Sequence, residues 1–251
     1  DRNASATIRT KQEHLCVDSP TRRRDKSAMV RLVPVLCTFN EAERLPRALA
    51  SLEEGVRTRL VAEWTLADGG STDRTVDIAR ELGFRVVTGA AGRGAQLAAG
   101  AEAASRAMAP GDAYLFMHAD TVLAPGWTRP VELFLREAQN RDRAAAFRFA
   151  LDEDGGAARR LAAMVNWRAR ALKLPYGDQG LIIPKAFYQR LGGYKPWPLF
   201  EDVDLVRRIG RARLTLLPAS AVTSAERFRR EGYLKRSAKN LSLLARYYAG
   251  A

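Results

Sequence analysis

Four short apolar runs alternate with helical segments between Val30 and Asp120, and this alternation restricts the fold more than any other feature of the chain. The runs VRLVPVLCTF, LVAEWTLAD, FRVVT and DAYLFMH have the length and composition of buried strands. Such alternation is typical of a parallel sheet with helices on both faces. We therefore predict an α/β fold with a mostly parallel sheet in the first half of the chain.

Polar side chains follow these strands at the points where the strands end. Ligands of open α/β sheets bind at the carboxyl ends of the strands, so these positions are the first candidates for a site. They are Thr38, Asn40, Glu41, Asp68, Arg93, His118 and Asp120. Two of them also have purely structural interpretations, because Asn40 is suited to cap a helix and Asp68 is suited to a turn.

His118 and Asp120 lie two residues apart at the end of a very apolar strand. Residues at this spacing share one side of a strand, so a carboxylate and an imidazole would face the same crevice. Such a pair can hold Mn²⁺ or Mg²⁺ between phosphate groups. The alternative for His118 is a hydrogen-bonded histidine at the end of a strand.

Arg93 lies between two glycines at a predicted turn from strand to helix. Exposed backbone amides and a cation at such a turn suit a phosphate or another polar ligand. The glycine spacing differs from G-x-G-x-x-G, so the pattern does not indicate a nicotinamide cofactor.

The second half of the chain is less regular and predicts a mixed arrangement of elements. We expect a strand over AAAFRFALD, a helix over residues 157–174 and a helical tail over residues 225–248. No internal repeat or low-complexity linker interrupts the pattern. We therefore expect one domain over residues 29–251 and a flexible arm over the polar residues 1–28.

Paired carboxylates, Glu201 and Asp202, follow a rigid segment that contains Pro196 and Pro198. Acidic residues at this position can simply stabilise the start of a helix. They can also supply a general base in a pocket that is poor in water, where burial raises the pKa of a carboxyl group. Asp178 and Gln179, flanked by glycines, form another polar loop.

Positive charge is concentrated at the end of the chain, which carries a formal net charge of +13. Eleven basic residues and only two acidic ones lie between Leu205 and Ala251. A basic tail predicts an anionic partner, which can be nucleic acid, anionic lipid or a phosphorylated small molecule. Composition alone does not distinguish these three kinds of partner.

Several classes of protein are excluded or disfavoured by what the sequence lacks. It has no apolar run near the length of about 18 residues that spans a bilayer, and residues 1–28 have no apolar segment typical of a secretory signal. Cys16 and Cys37 do not form a disulfide framework, so we expect free thiols in the cytoplasm. A zinc-ligand cluster, a Walker loop and a G-x-S-x-G elbow are also absent from the sequence.

Taken in order, the motifs resemble those of the family 2 glycosyltransferases, which have the GT-A fold. The resemblance rests on VPVLCTFNEAERL, ADGGSTDRT, MHADTVLAPGW and GDQGLIIPKAFYQRLGGYKPWPLFEDVDLVRRI, followed by the basic tail. GRGAQLAAGA and the GDQG loop further resemble a small bacterial subgroup of single-domain members, some encoded near radical-SAM and selenium-related genes. The resemblance covers residues 30–248, and the order of the motifs is more specific than any one of them.

The resemblance implies a nucleotide-diphosphate sugar donor, usually a UDP-sugar, and inversion at the anomeric carbon. It implies a nucleotide-binding half over residues 29–120 and an acceptor half, with a C-terminal basic helix, over residues 121–251. The residues that it places at the nucleotide are Thr38, Asn40, Glu41, Asp68 and Arg93. Those that it places at the donor sugar or the acceptor are Asp178, Gln179 and Trp197.

The resemblance also implies catalytic and metal-binding roles. Asp202 would be the base that deprotonates the acceptor hydroxyl, with Glu201 supporting it. Asp120 would bind a divalent metal, Mn²⁺ or Mg²⁺, that bridges the diphosphate. The family's D-x-D motif begins with an aspartate where this chain has His118, so the expected ligand pair is Asp120 with His118.

Two other functions compete with glycosyl transfer. A sugar-phosphate nucleotidyltransferase normally has a glycine-rich basic loop after the first strand, whereas Thr38-Phe39-Asn40-Glu41 stands there in this chain. A non-catalytic module would bind a membrane surface or nucleic acid through the basic tail, although the tail can equally be a helix packed on the domain. We expect no nucleic-acid partner, an unidentified hydroxyl acceptor and, through the tail, a peripheral contact with an anionic membrane.

Overall fold

The computed structural model describes residues 30–61, 63–89, 92–197 and 199–248. The arm predicted over residues 1–28 lies outside this range. Within it, the strands are β1 (Leu32–Thr38), β2 (Thr65–Asp68), β3 (Arg85–Thr88), β4 (Ala113–His118), β5 (Thr121–Leu123), β6 (Ala144–Leu151), β7 (Leu181–Pro184) and β8 (Leu214–Thr223). The α-helices are α1 (Leu45–Arg57), α2 (Thr75–Glu81), α3 (Arg93–Ser105), α4 (Thr128–Arg136), α5 (Gly156–Ala171), α6 (Lys185–Arg190), α7 (Glu201–Ile209), α8 (Glu226–Glu231) and α9 (Tyr233–Tyr248).

The strands form one mixed sheet in the order β3-β2-β1-β4-β7-β6-β8-β5. The four strands of the first half are parallel, which confirms the α/β prediction, and β7 then pairs antiparallel with both β4 and β6. The mixed second half is therefore also confirmed. The sheet brings the carboxyl ends of β1, β2 and β4 to one edge, where Thr38 lies in register with Asp68 and Cys37 with His118.

Both faces of the sheet are buried, as the apolar composition of its strands requires. Leu36 of β1 packs on one face with Leu49 of α1 and with Trp127, the residue before α4. Val35 packs on the other face with Leu97 of α3 and Ile183 of β7. This alternation along β1 fixes its register, because a slip of one residue would exchange the two faces.

Two details differ from the sequence prediction. The helix expected directly after Asn40 begins at Leu45, because Asn40 has a positive φ of 53° and its side chain accepts a hydrogen bond from Thr72 of the neighbouring loop. The tail is not one helix, since Gly232, with φ 83°, separates α8 from α9.

The basic tail folds back on the rest of the protein. Phe228 of α8 and Tyr233 of α9 pack against a small core formed by Phe149 of β6 with Leu161 and Val165 of α5. Among the described helices, none combines the length and the apolar character that crossing a bilayer requires.

Candidate active site

A cavity of about 440 Å³ opens at the carboxyl edge of the sheet. Five residues predicted for the site line it, namely Arg93, His118, Asp120, Asp178 and Asp202. They come from α3, β4, the turn after β4, the loop before β7 and α7. Positions up to 109 residues apart in the chain therefore meet at one place, at the edge of the sheet where α/β folds bind ligands.

His118 offers an unshared nitrogen at this edge. Its Nε2 is buried and has no hydrogen-bond partner among the described residues. Burial lowers the pKa of His118, which favours the neutral imidazole. A neutral ring with a free nitrogen is the form that binds metal ions.

Asp120 follows His118 and also lines the cavity. One carboxylate oxygen lies 3.4 Å from the hydroxyl of Thr121. No group of three or more His, Cys, Asp or Glu side chains able to hold a metal occurs in the part of the chain that the structure describes. Among the described residues, His118 and Asp120 remain the two neighbouring nitrogen and oxygen donors at this end of β4.

Asp202 is held by backbone amides on both of its oxygens. Gly177 N donates to Asp202 Oδ2 at 2.7 Å, and Val203 N donates to Oδ1 at 2.7 Å. Val203 lies in the first turn of α7, where the helix dipole also favours an acidic side chain. The carboxylate is therefore fixed in orientation while it still borders the cavity.

Glu201 is fully buried beside Asp202, and its carboxyl group faces Arg93. Arg93 Nε lies 3.1 Å from Glu201 Oε1, which is an ion pair, but neither oxygen accepts a hydrogen bond from a described residue. Burial and the neighbouring charge of Asp202 raise the pKa of Glu201 to about 7. Glu201 therefore anchors Arg93 at the cavity without lining the cavity itself.

The loop before β7 contributes Asp178 but turns Gln179 inward. Asp178 lines the cavity with one buried oxygen that has no partner among the described residues, and burial raises its pKa to about 6. The amide of Gln179 is fully buried and donates to the carbonyl oxygen of Phe147 at 2.9 Å. Gln179 thus fixes the loop that presents Asp178.

The loops after β1 and β2 are joined to each other by hydrogen bonds. Asn40 N donates to Ser71 Oγ at 2.8 Å, and Thr72 N donates to Asn40 Oδ1 at 2.9 Å. Asp68 accepts bonds from Gly70 N and Ser71 N, both at 2.9 Å, so it also has the turn role that its motif indicates. Thr38 is buried, and its carbonyl oxygen accepts a bond from Gln96 of α3.

Glu41 joins these loops to the tail through ion pairs. It lies 3.0 Å from Arg44 Nη1 and 3.4 Å from Arg227 Nη2 of α8. Arg44 also pairs with Glu226 of α8. Burial raises the pKa of Glu41, while Arg44 and Arg227 oppose that shift. The network ties α8 to the loop after β1, and both Arg44 and Arg227 line the cavity.

Trp197 is positioned by a close approach of two backbone segments. Gly94 N donates to the carbonyl oxygen of Trp197 at 3.3 Å, and a Cβ atom at Gly94 would lie 2.2 Å from the carbonyl oxygen of Lys195. The indole packs edge-on against Tyr247 of α9 at 5.8 Å. Its neighbours Leu199 and Phe200 border the cavity.

Polar and aromatic residues that the sequence did not single out also line the cavity. Among them are Arg44, Tyr176, Arg227 and Arg236. The positive charge of the tail was visible, but its position at the cavity depends on the turn at Gly232 and on pairing with Glu41, which no local pattern reveals. Tyr176 directly precedes the GDQG loop, and this adjacency is the signal that could have found it.

Comparisons with proteins of known structure agree with this architecture. GalNAc-T7 in complex with UDP, GalNAc and Mn²⁺ aligns with a TM-score of 0.57 at 14% identity, over 89% of this chain and 52% of that chain. The chain thus spans about half the length of GalNAc-T7. A mannosyltransferase from Pyrobaculum calidifontis, in complex with GDP-Man and Mn²⁺, aligns with a TM-score of 0.57 at 18% identity, over 96% of this chain and 72% of that one.

A third structure shares the fold. Glucosyl-3-phosphoglycerate synthase from Mycobacterium tuberculosis, in complex with Mn²⁺, UDP and phosphoglyceric acid, aligns with a TM-score of 0.54 at 20% identity, over 84% of this chain and 77% of that one. The GT-A fold expected from the motifs is thereby confirmed. No curated protein sequence matches the chain.

The sequence model of the family described as "Glycosyl transferase family 2" matches residues 35–190. The match runs from β1 to the end of α6 and so includes the edge of the sheet with His118, Asp120 and Asp178. It covers more than half of the chain. The protein therefore belongs to glycosyl transferase family 2 and has the GT-A fold.

Proposed function

We propose that the protein transfers a sugar from a nucleotide-diphosphate donor, a UDP-sugar, to an acceptor hydroxyl with inversion at the anomeric carbon. The observation that carries this proposal is the meeting of Asp202, Arg93, His118 and Asp120 around one cavity at the carboxyl edge of the sheet. The solved structures of similar fold hold UDP or GDP-Man together with Mn²⁺, which supports a nucleotide-sugar donor.

Asp202 is the proposed general base. Its carboxylate takes the proton of the acceptor hydroxyl as the oxygen attacks the anomeric carbon of the donor sugar, and the bond from that carbon to the diphosphate oxygen breaks on the opposite face. A single displacement of this kind inverts the configuration at the anomeric carbon. The amides of Gly177 and Val203 hold the carboxylate in a fixed orientation, which lowers the entropic cost of reaching the reactive geometry.

The residues suited to a divalent metal, Mn²⁺ or Mg²⁺, are His118 and Asp120. The free Nε2 of His118 and the carboxylate of Asp120 are nitrogen and oxygen donors at the cavity, and they fit such an ion when diphosphate oxygens complete its ligands. A bound divalent ion supplies positive charge that stabilises a diphosphate leaving group.

Arg93 adds a fixed positive charge on the same side of the cavity. Its guanidinium is anchored by Glu201, so the proposed role of Glu201 is to position Arg93 beside the donor phosphates as well as to support Asp202. Thr38, Asn40, Glu41 and Asp68 belong to the proposed nucleotide pocket at the ends of β1 and β2. Asp68 and Asn40 contribute by shaping the joined loops.

Asp178 is the proposed contact to the donor sugar or the acceptor, because it has a free oxygen in the cavity. Gln179 supports that loop, and Trp197 supports the neighbouring segment with Leu199 and Phe200. The tail completes this side of the cavity with Arg227 and Arg236.

A donor screen tests the proposal. The purified protein is incubated with Mn²⁺ and a panel of UDP-sugars and GDP-sugars, and release of free nucleoside diphosphate is measured with and without candidate acceptors. We expect release from at least one UDP-sugar that stops when the metal is chelated. Absence of release from every donor, together with absence of nucleotide binding, would contradict the proposal.

A further inference from the structure

One face of α5 exposes large apolar side chains to solvent. Trp167 is 62% exposed and Met164 is 53% exposed, and Leu172, directly after the helix, is 40% exposed. Met164 and Trp167 are three residues apart and so lie side by side on the helix surface. Large apolar side chains that are grouped on a surface mark interaction sites more often than scattered ones do.

The opposite face of α5 already has its packing partners. Leu161 and Val165 are buried and pack with Phe149 of β6, and Phe228 of α8 packs against the same small core. The amide of Asn166 exchanges two hydrogen bonds of 2.9 Å with the backbone of Phe149. The helix is therefore fixed on the sheet by one face, and the side chains of Trp167 and Met164 do not serve that contact.

The exposed face is also strongly basic. The segment from Gly155 to Lys173 contains five basic residues and no acidic residue. Arg159, Arg160 and Arg170 are exposed on the same side as Trp167. Arg168 is the exception, because it turns inward to stack its guanidinium on Tyr176 at 3.5 Å.

We propose that this face of α5, formed by Arg159, Arg160, Met164, Trp167 and Arg170, docks onto a membrane surface that contains anionic lipids. Helices that lie in the plane of an interface combine a basic polar edge with Trp and aliphatic side chains that enter the headgroup region. Tryptophan favours this region because its ring is apolar and its N–H is polar. The charge of the face is complementary to that of anionic headgroups.

This surface differs from the basic tail. Arg227 and Arg236 of the tail line the cavity, where they pair with Glu41 and Glu231. The arginines on the exposed face of α5 lie outside the cavity lining, while the end of α5 leads within five residues to Tyr176, which does line it. Docking through α5 would therefore hold the cavity close to the lipid headgroups.

Cosedimentation with vesicles tests the proposal without any donor or acceptor, so its outcome is independent of the proposed function. The full chain is mixed with vesicles of phosphatidylcholine alone or with phosphatidylglycerol added, at low and at high salt. We expect binding only to the anionic vesicles, and we expect salt to weaken it. The double variant Trp167→Gln/Met164→Gln should bind about tenfold more weakly.

A charge-reversal variant and two matched controls complete the test. Arg160→Glu/Arg170→Glu should also weaken binding by about tenfold or more. The controls are Leu133→Gln, which alters a 47% exposed side chain on α4, and Arg74→Glu/Arg106→Glu, which makes the same change of charge elsewhere. Both controls should bind as the parent protein does.

Tryptophan fluorescence gives an independent readout. Trp64 and Trp127 are buried, but Trp197 is 37% exposed, so the readout uses the Trp197→Phe variant as its background. A blue shift on addition of anionic vesicles is then expected from Trp167, and Trp167→Phe in the same background should abolish it. No binding by the parent protein would overturn the proposal. Binding that is equal for the parent and both α5 variants would also overturn it, and would assign the contact to the tail or the N-terminal arm.

Discussion

Gly177 N donates a hydrogen bond of 2.7 Å to Asp202 Oδ2 and thereby joins the loop before β7 to the start of α7. The same glycine leaves room for His118, because a Cβ atom at this position would lie 2.8 Å from His118 Nε2 and 3.4 Å from Asp202 Oδ2. One small residue thus touches both the proposed base and a proposed metal ligand.

Replacement of Gly177 by alanine should damage the site more than the fold. We expect Gly177→Ala to lower kcat about tenfold or more, because a methyl group in this position displaces His118 or Asp202 by some tenths of an ångström. The melting temperature should change by only a few degrees. The matched control is Gly156→Ala in α5, where a Cβ atom meets no atom of the described residues within 4 Å. Equal kcat for both variants would contradict the assignment.

Replacement of Gly94 by alanine should instead destabilise the protein. A Cβ atom there would lie 2.2 Å from the carbonyl oxygen of Lys195 and 2.6 Å from that of Trp197, and backbone atoms yield less readily than side chains. We expect a loss of about 1–3 kcal/mol in the free energy of unfolding, measured by urea denaturation. Gly111→Ala should be close to neutral, because the part of the chain that the structure describes has no atom within 4 Å of the new Cβ. A stability of Gly94→Ala equal to that of the control would refute this packing argument.

The buried carboxyl group of Glu201 predicts a pH-dependent stability. Its pKa is raised from a usual value of 4.5 to about 7, with burial as the first cause, so the folded protein favours its protonated form. The contribution of protonated Glu201 to the free energy of unfolding is therefore complete below about pH 4.5, and it is lost as the pH rises through about 7. The pKa shift changes the free energy of unfolding by at most about 3 kcal/mol.

Glu201→Gln keeps the neutral form at every pH and so removes this dependence. The difference in melting temperature, variant minus parent, should therefore increase from pH 5 to pH 8. The exposed Glu81→Gln on α2 serves as the control and should show no such trend. If the difference between parent and Glu201→Gln stays constant over this range, Glu201 does not titrate there.

His118 as a metal ligand predicts a specific change in nucleotide binding. His118→Gln retains a polar side chain of comparable size but lacks the imidazole nitrogen. We expect the concentration of Mn²⁺ that supports half-maximal UDP binding to rise about tenfold or more, as measured by calorimetry at several metal concentrations. UDP binding in the absence of metal should be unchanged. An unaltered dependence on Mn²⁺ would show that His118 is a structural strand-end residue.

Local pattern was enough to predict the parallel half of the sheet, since β1 and β4 are apolar runs whose alternate residues pack on both faces. It also singled out Asp120, because polar residues at the carboxyl ends of strands face the ligand edge of an α/β sheet, whereas Asp202 was singled out as one of two paired carboxylates after a proline-rich segment. In contrast, the pairing of Glu41 with Arg227 joins positions 186 residues apart. The inward turn of Gln179 depends on the carbonyl oxygen of Phe147, a tertiary contact that no periodicity encodes.

The role of Asp202 as the general base is tested by comparing Asp202→Asn with the parent protein in UDP binding and in sugar transfer. The variant keeps the size of the side chain and an oxygen that can accept the bond from Gly177, but it is no base. We predict a Kd for UDP within about twofold of that of the parent and a kcat lower by about a hundredfold or more. Asp77→Asn, an exposed carboxylate on α2, should leave both unchanged. Full transfer activity in Asp202→Asn would contradict the account.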